Sequence, residues 1–129
     1  MTVSNFEDLT IWQLARALSK EIYLITDKTE FQRDIRFSSQ IRAAVGSIMD
    51  NIAEGFSREG KKEFVQFLYI AKGSCAEVQS QLYRSYDVGY VTQTEFANLL
   101  KGAKDLEVKI TNMIVYLKQT KIEGHKYKD

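Results

Sequence analysis

The stretch Phe64-Val-Gln-Phe-Leu-Tyr-Ile-Ala-Lys-Gly-Ser-Cys-Ala-Glu-Val-Gln-Ser-Gln-Leu82 decides the fold. Phe64, Leu68, Ala71, Cys75, Val78 and Leu82 recur at spacings of four and three. At about 3.6 residues per turn they form one seam along a helix. No apolar/polar alternation of the kind a half-buried strand requires competes with this period. The segment ends at Asp87-Val-Gly89, where the glycine suits a left-handed helix cap.

The same period appears on both sides of this stretch. Upstream, a segment from about Asp34 to Glu54 carries Phe37, Ile41, Ala44, Val45, Ile48 and Ile52, with Gly55 suited to a C-cap and Phe56 to packing back. Before it, from about Asn5 to Asp27, Ile11, Ala15, Leu18, Ile22 and Ile25 make a further seam, and the stretch from Asp27 to Gln32 interrupts the period. Downstream, Thr92-Gln-Thr-Glu95 has the spacing of a capping box, in which Thr92 accepts from the third amide and Glu95 returns to the cap. Phe96, Leu99, Leu100, Ala103, Leu106, Ile110, Met113, Ile114 and Leu117 follow as the fourth seam. Four helices joined by linkers of about 5 to 7 residues pack most simply as an antiparallel up-down-up-down four-helix bundle. The reading is therefore all-α, with one bundle domain over residues 5–121 and a polar, basic tail over 122–129.

Composition agrees with long helices. Of 129 residues 44% are hydrophobic, 27% are charged and none is proline. The net charge of +1 excludes the strong overall field of a dedicated nucleic-acid binder and leaves room for a local basic patch only. One cysteine, Cys75, excludes an intramolecular disulfide and points to a reducing, cytoplasmic setting. No uninterrupted apolar run exceeds five residues, so neither a signal peptide nor a membrane span is expected. The single histidine, His125, lies in the polar tail, which takes His-ligated metals and His-activated nucleophiles out of the folded part.

Apolar residues extend beyond the seams. Val65, Tyr69, Ala76 and Tyr83 form a second stripe, about 100 to 140° around the axis from Phe64. Trp12 and Tyr23 lie about 100 to 120° from Ile11 in the same way. Side chains so placed leave a contiguous apolar surface, and such surfaces mark protein interfaces. Self-association is expected through these six residues, either as an isologous dimer or as a ring.

The polar constellations are incomplete as chemistry. Ser47, Asn51, Glu54 and Arg58 make a polar stripe with Asp50 nearby. Two carboxylates one turn apart at a helix C-terminus, with no histidine, do not complete a di-metal or acid–base site. The stripe is read as structural, with Glu54 taking Arg42 or Arg58 as its partner. Glu107 falls close to an apolar seam and requires a donor if buried. Gly46 and Gly73, among small neighbours, each cost about 1 kcal/mol in a helix and suggest a tight helix crossing, with a ligand-binding groove as the less favoured alternative. They match neither a phosphate loop nor a dinucleotide fingerprint. No catalytic residue, cofactor, metal or small-molecule substrate is expected. Lys118, Lys121, Lys126 and Lys128 either complement the last helical turn's dipole or form a weak phosphate-contacting patch.

A family resemblance adds to this reading. Gln40-Ile-Arg-Ala-Ala44, Ser47-Ile48, Asn51-Ile-Ala-Glu-Gly55 and Arg58 resemble the bacterial four-helix bundle proteins encoded in 23S ribosomal RNA intervening sequences. Glu63-Phe64, Phe67-Leu68, Ile70-Ala71, Gly73-Ser74 and Glu77 continue the similarity, and Phe6-Glu-Asp-Leu9 with Trp12-Gln13 resembles its opening. That family also holds the accessory variability determinant of diversity-generating retroelements. The resemblance implies a barrel-shaped homopentamer without enzymatic activity or cofactor, and, through the accessory determinant, RNA, DNA or a reverse transcriptase as partners. Two features depart from the pattern. Met49 and Asp50 stand where the family commonly has Pro and Ala, so a kink expected there is lost, and the near-neutral charge differs from the strongly basic accessory protein.

Overall fold

The computed structural model describes residues 2–120 together with residues 127–128. It is an all-α bundle. Five α-helices follow in order: α1 Thr10–Thr26, α2 Thr29–Arg33, α3 Ile35–Ser57, α4 Lys61–Asp87 and α5 Gln93–Gln119. A one-turn 3-10 helix, Phe6–Asp8, precedes α1. Thr2–Val3 pairs antiparallel with Tyr127–Lys128, a two-residue contact that helical periodicity has no means of announcing.

The four long helices form a ring of neighbours. α1 packs on α3 and α5, and α4 packs on α3 and α5. Short connections reverse the chain between successive long helices, which gives the up-down-up-down order. The seams meet in a single core in which Ile22, Ile41, Ile48, Leu68, Leu82 and Ile110 are fully buried.

Helix ends follow local chemistry. Thr92 Oγ1 accepts from Glu95 N at 3.1 Å while Glu95 Oε1 accepts from Thr92 N at 2.8 Å, so the capping box closes at the start of α5. At the end of α4, Gly89 has φ +81. There Tyr90 N donates to Ser85 O at 2.9 Å and Gly89 N donates to Tyr86 O at 3.1 Å. This six-to-one and five-to-two pairing is the Schellman pattern that a left-handed glycine makes possible.

Several expectations are corrected. The second long helix continues past Glu54 to Ser57, and Gly55 lies inside it rather than capping it, while the helix runs unbroken through Met49 and Asp50 as their departure from the family pattern implies. Positive φ in the following turn falls on Glu59. Gly55 is required for space: a Cβ there would stand 2.5 Å from Phe67 Cβ. By contrast, a Cβ on Gly46 or Gly73 would meet nothing within 4 Å, so neither marks a tight crossing inside the chain. The interruption after Asp27 is itself helical, and its Phe31 is fully buried. Phe31 packs with Phe37 and Tyr90 at ring-centroid distances of 5.4 and 5.0 Å. Asp34 caps α3 by accepting from Phe37 N at 3.2 Å and receives the Tyr90 hydroxyl at 2.8 Å, which ties the α2–α3 corner to the α4–α5 turn.

Candidate functional site

The polar stripe of α3 divides into two parts. Asn51 Nδ2 donates to Ser47 O at 2.8 Å and to Ser47 Oγ at 2.9 Å, and Ser74 Oγ on α4 donates to Ser47 Oγ at 3.0 Å. The two Asn51 bonds lie within α3, and the Ser74 bond joins α3 to α4 across a partly buried seam of small side chains. Glu54 and Arg58 instead form an exposed ion pair at 3.0 Å, one helical turn apart. Arg42 turns to the other side of α3, donating to Thr26 Oγ1 at 2.8 Å and Asp27 Oδ1 at 3.1 Å. Asp50 is exposed. A carboxylate that is solvated and paired with an arginine lacks the enclosed position of a general acid. Among the described residues, no group of three or more His, Cys, Asp or Glu lies close enough to hold a metal ion.

Cys75 is buried at the α4 seam. Burial, with a smaller contribution from the Glu107 carboxylate, pushes its thiol up to about 12. The thiolate that nucleophilic chemistry requires is therefore scarce near neutral pH. Glu107 accepts from Gln79 Nε2 at 2.9 Å, the donor its half-buried position requires.

The apolar stripes occupy two edges of the bundle. On the α4–α5 edge, Tyr69 and Tyr83 are 46% and 50% exposed. Tyr83 stands edge-on to Phe96 of α5 at 5.0 Å, and Lys118 donates to Tyr69 Oη at 2.6 Å. Val65 is partly buried against the core and Ala76 is exposed. On the α1–α3 edge, Tyr23 is 47% exposed and lies under the guanidinium of Arg42 at 4.5 Å. Trp12 is less free than its helical position suggests, because it packs on the core and against Phe6, ring centroids 5.2 Å apart. The 3-10 turn that carries Phe6 left no periodic trace in the sequence. Since α1, α3, α4 and α5 follow one another around the ring, the α1–α3 and α4–α5 edges lie on opposite sides.

Of the four lysines singled out, Lys118 is engaged with Tyr69. Lys121 and Lys126 lie outside the described residues, as does most of the tail, and Lys128 is described only through its backbone pairing with Thr2. No helix among the described residues is long and apolar enough to cross a membrane.

Residues 7–112 match the family model of the 23S rRNA-intervening sequence protein. The chain belongs to that family. For this intervening-sequence protein no functionally curated protein is a match. Its fold is shared with a crystal structure of a protein of unknown function from the S23 ribosomal protein family of Bacteroides thetaiotaomicron. That likeness has a TM-score of 0.75 at 18% identity, over 81% of this chain and 98% of the other. At that identity the likeness concerns the bundle alone. The intervening-sequence motif Asn51-Ile-Ala-Glu-Gly55 thus acquires a structural account: Asn51 binds Ser47, Glu54 pairs with Arg58, and Gly55 admits Phe67.

Proposed function

We propose that this chain is a non-enzymatic, cytoplasmic structural or interaction protein that works as a head-to-tail homo-oligomer. The observation that carries the reading is the placement of exposed tyrosines on opposite edges of one bundle, Tyr69 and Tyr83 on one and Tyr23 on the other. An isologous dimer covers one patch with its own copy, whereas two unlike patches on opposite sides are covered together when each subunit docks the next. Rotation between subunits then closes a ring or leaves a filament, and the family resemblance supplies a ring of five. On α3, a Cβ added at Gly46 would meet no atom of the described residues within 4 Å, which leaves room there for a neighbour. Burying a tyrosine in such a contact is worth about 1 kcal/mol or more, and a charge placed there is poorly tolerated.

Light scattering on the purified chain tests this. Tyr69→Glu or Tyr83→Glu is expected to give smaller species that keep their helical circular dichroism. A wild-type chain that is monomeric at micromolar concentration overturns the reading, and a stable dimer overturns its ring.

A further inference from the structure

We infer that the α4–α5 face docks an acidic amphipathic helix of a partner protein, which takes the place of the neighbouring copy on that edge and so limits assembly. The competition rests on head-to-tail self-association, whereas the docking surface is complete within one copy of the chain.

Two rows of side chains make the face. On α4, Tyr69, Lys72, Ala76, Gln79 and Tyr83 recur at spacings of three and four, and on α5 Lys104, Val108, Thr111, Val115 and Lys118 do the same. Contacts between the helices set the rows side by side. Lys118 reaches the Tyr69 hydroxyl at 2.6 Å, Gln79 reaches Glu107 at 2.9 Å and Tyr83 meets Phe96 at 5.0 Å. Tyr69, Tyr83, Val108 and Val115 remain 46% to 58% exposed, and Ala76 between them is exposed as well. An apolar surface spread over two packed helices is covered by a third that lies along the groove between them. Tyr69 and Tyr83 are fourteen residues apart, about 21 Å along the axis, which a docked helix spans in about four turns.

Charge selects the occupant. Lys72, Lys104 and Lys118 have no carboxylate partner among the described residues. Glu107, the carboxylate that stands between the rows, is half-buried and already accepts from Gln79. The face is therefore apolar along its length with ammonium groups beside it. Its complement is a helix whose apolar stripe is flanked by Asp or Glu. A second copy matches the apolar part alone, because its α1–α3 edge is itself cationic. There Arg16 has no carboxylate partner among the described residues, and Asp27 offsets the charge of Arg42. Single-stranded RNA fits less well, since it needs open ring faces for its bases. One side of Tyr69 is covered by the Lys118 ammonium at 5.0 Å, Tyr83 is packed edge-on to Phe96, and the side chains between them are aliphatic.

The probe is a capped helical peptide of about 15 residues, with leucine at every third and fourth position and glutamate and alanine elsewhere. Two controls accompany it, one with lysine in place of glutamate and one with the same residues shuffled. The full chain is used as wild type and as Tyr23→Glu, which leaves the α4–α5 edge intact and spoils the edge that a neighbour would bring to it. Nuclear magnetic resonance of isotope-labelled Tyr23→Glu is expected to show saturable shifts at the amides of Ala76, Tyr83, Val108 and Val115 with the acidic peptide alone. Adding Lys72→Glu and Lys104→Glu together is expected to weaken that peptide about tenfold and to admit the lysine peptide. Lys104→Glu by itself, at an exposed position, carries the test if the pair does not fold. The wild type is expected to bind the acidic peptide several-fold more weakly than Tyr23→Glu, and its particles are expected to shrink in light scattering as peptide is added. No saturable shift, equal binding of the shuffled peptide, or unchanged affinity in the lysine variants overturns the docking surface. So does tighter binding of oligouridylate at the same amides. Equal affinity of a monomeric wild type and Tyr23→Glu instead overturns self-association, and the competition with it, while supporting the docking surface.

Discussion

A Cβ on Gly55 of α3 would stand 2.5 Å from the Cβ of Phe67 on α4, closer than two such atoms approach. The helices are thus held together at this level by the absence of a side chain. Gly55→Ala improves helix propensity by about 1 kcal/mol but forces the helices apart, and overpacking of this kind costs about 1–3 kcal/mol. A net loss of stability in urea unfolding is expected. Gly73→Ala, where no atom lies within 4 Å, is expected to raise the stability of the isolated subunit by about 0.5–1 kcal/mol. Equal effects at the two sites would contradict this account.

Head-to-tail docking makes a prediction that an isologous dimer does not. Tyr23→Glu spoils the α1–α3 edge and Tyr69→Glu spoils the α4–α5 edge, so each variant alone is expected to be monomeric. Mixed in equal amounts, they retain one intact combination of edges and are expected to form a heterodimer that grows no further. Mass photometry or light scattering of the mixture reads this directly.

The two halves of the α3 polar stripe are expected to respond differently to mutation. Ser74 is buried and its hydroxyl reaches Ser47, so Ser74→Ala is expected to cost about 1 kcal/mol. Glu54→Gln removes an exposed pair whose side chains are both more than half in water, and a change of at most about 0.5 kcal/mol is expected. Thermal unfolding of the two variants measures the contrast.

Glu95 supplies a pH dependence. The hydrogen bond from Lys28, with that from the Thr92 backbone, holds its carboxyl below the ordinary value of 4.5. A lowered folded value means that the unfolded chain binds the proton more readily, so the stabilisation is fully present above pH 4.5 and is lost as pH falls through the folded value. The melting-temperature difference between wild type and Glu95→Gln is therefore expected to shrink between pH 6 and pH 3. A difference that grows on acidification would contradict the assignment.

Cys75, with its thiol pushed up to about 12 inside the core, is expected to resist alkylation in the native protein and to react readily in denaturant. Labelling followed by mass spectrometry at pH 8, with and without urea, checks this. Rapid native labelling would mean that the α4 seam opens more freely than its packing suggests.

Helix type and much of the core were legible in the chain alone, because seams such as Phe64 to Leu82 and Leu99 to Leu117 depend only on spacing along a regular helix. The Thr92–Glu95 box and the Gly89 cap were equally legible, since their bonds span no more than six residues. What lay out of reach depends on residues far apart in sequence. Phe31 sits in a stretch without period, and its burial becomes visible only when Phe37 and Tyr90 close over it. Gly55 resembles a cap locally and becomes a contact point only when Phe67 of the next helix is placed. The stripes of Tyr23 and Tyr69 were readable as stripes, yet their standing on opposite edges is decided by the order of helices around the bundle. A single helix specifies which of its faces is apolar, whereas the position of that face relative to another helix is set by how the helices pack.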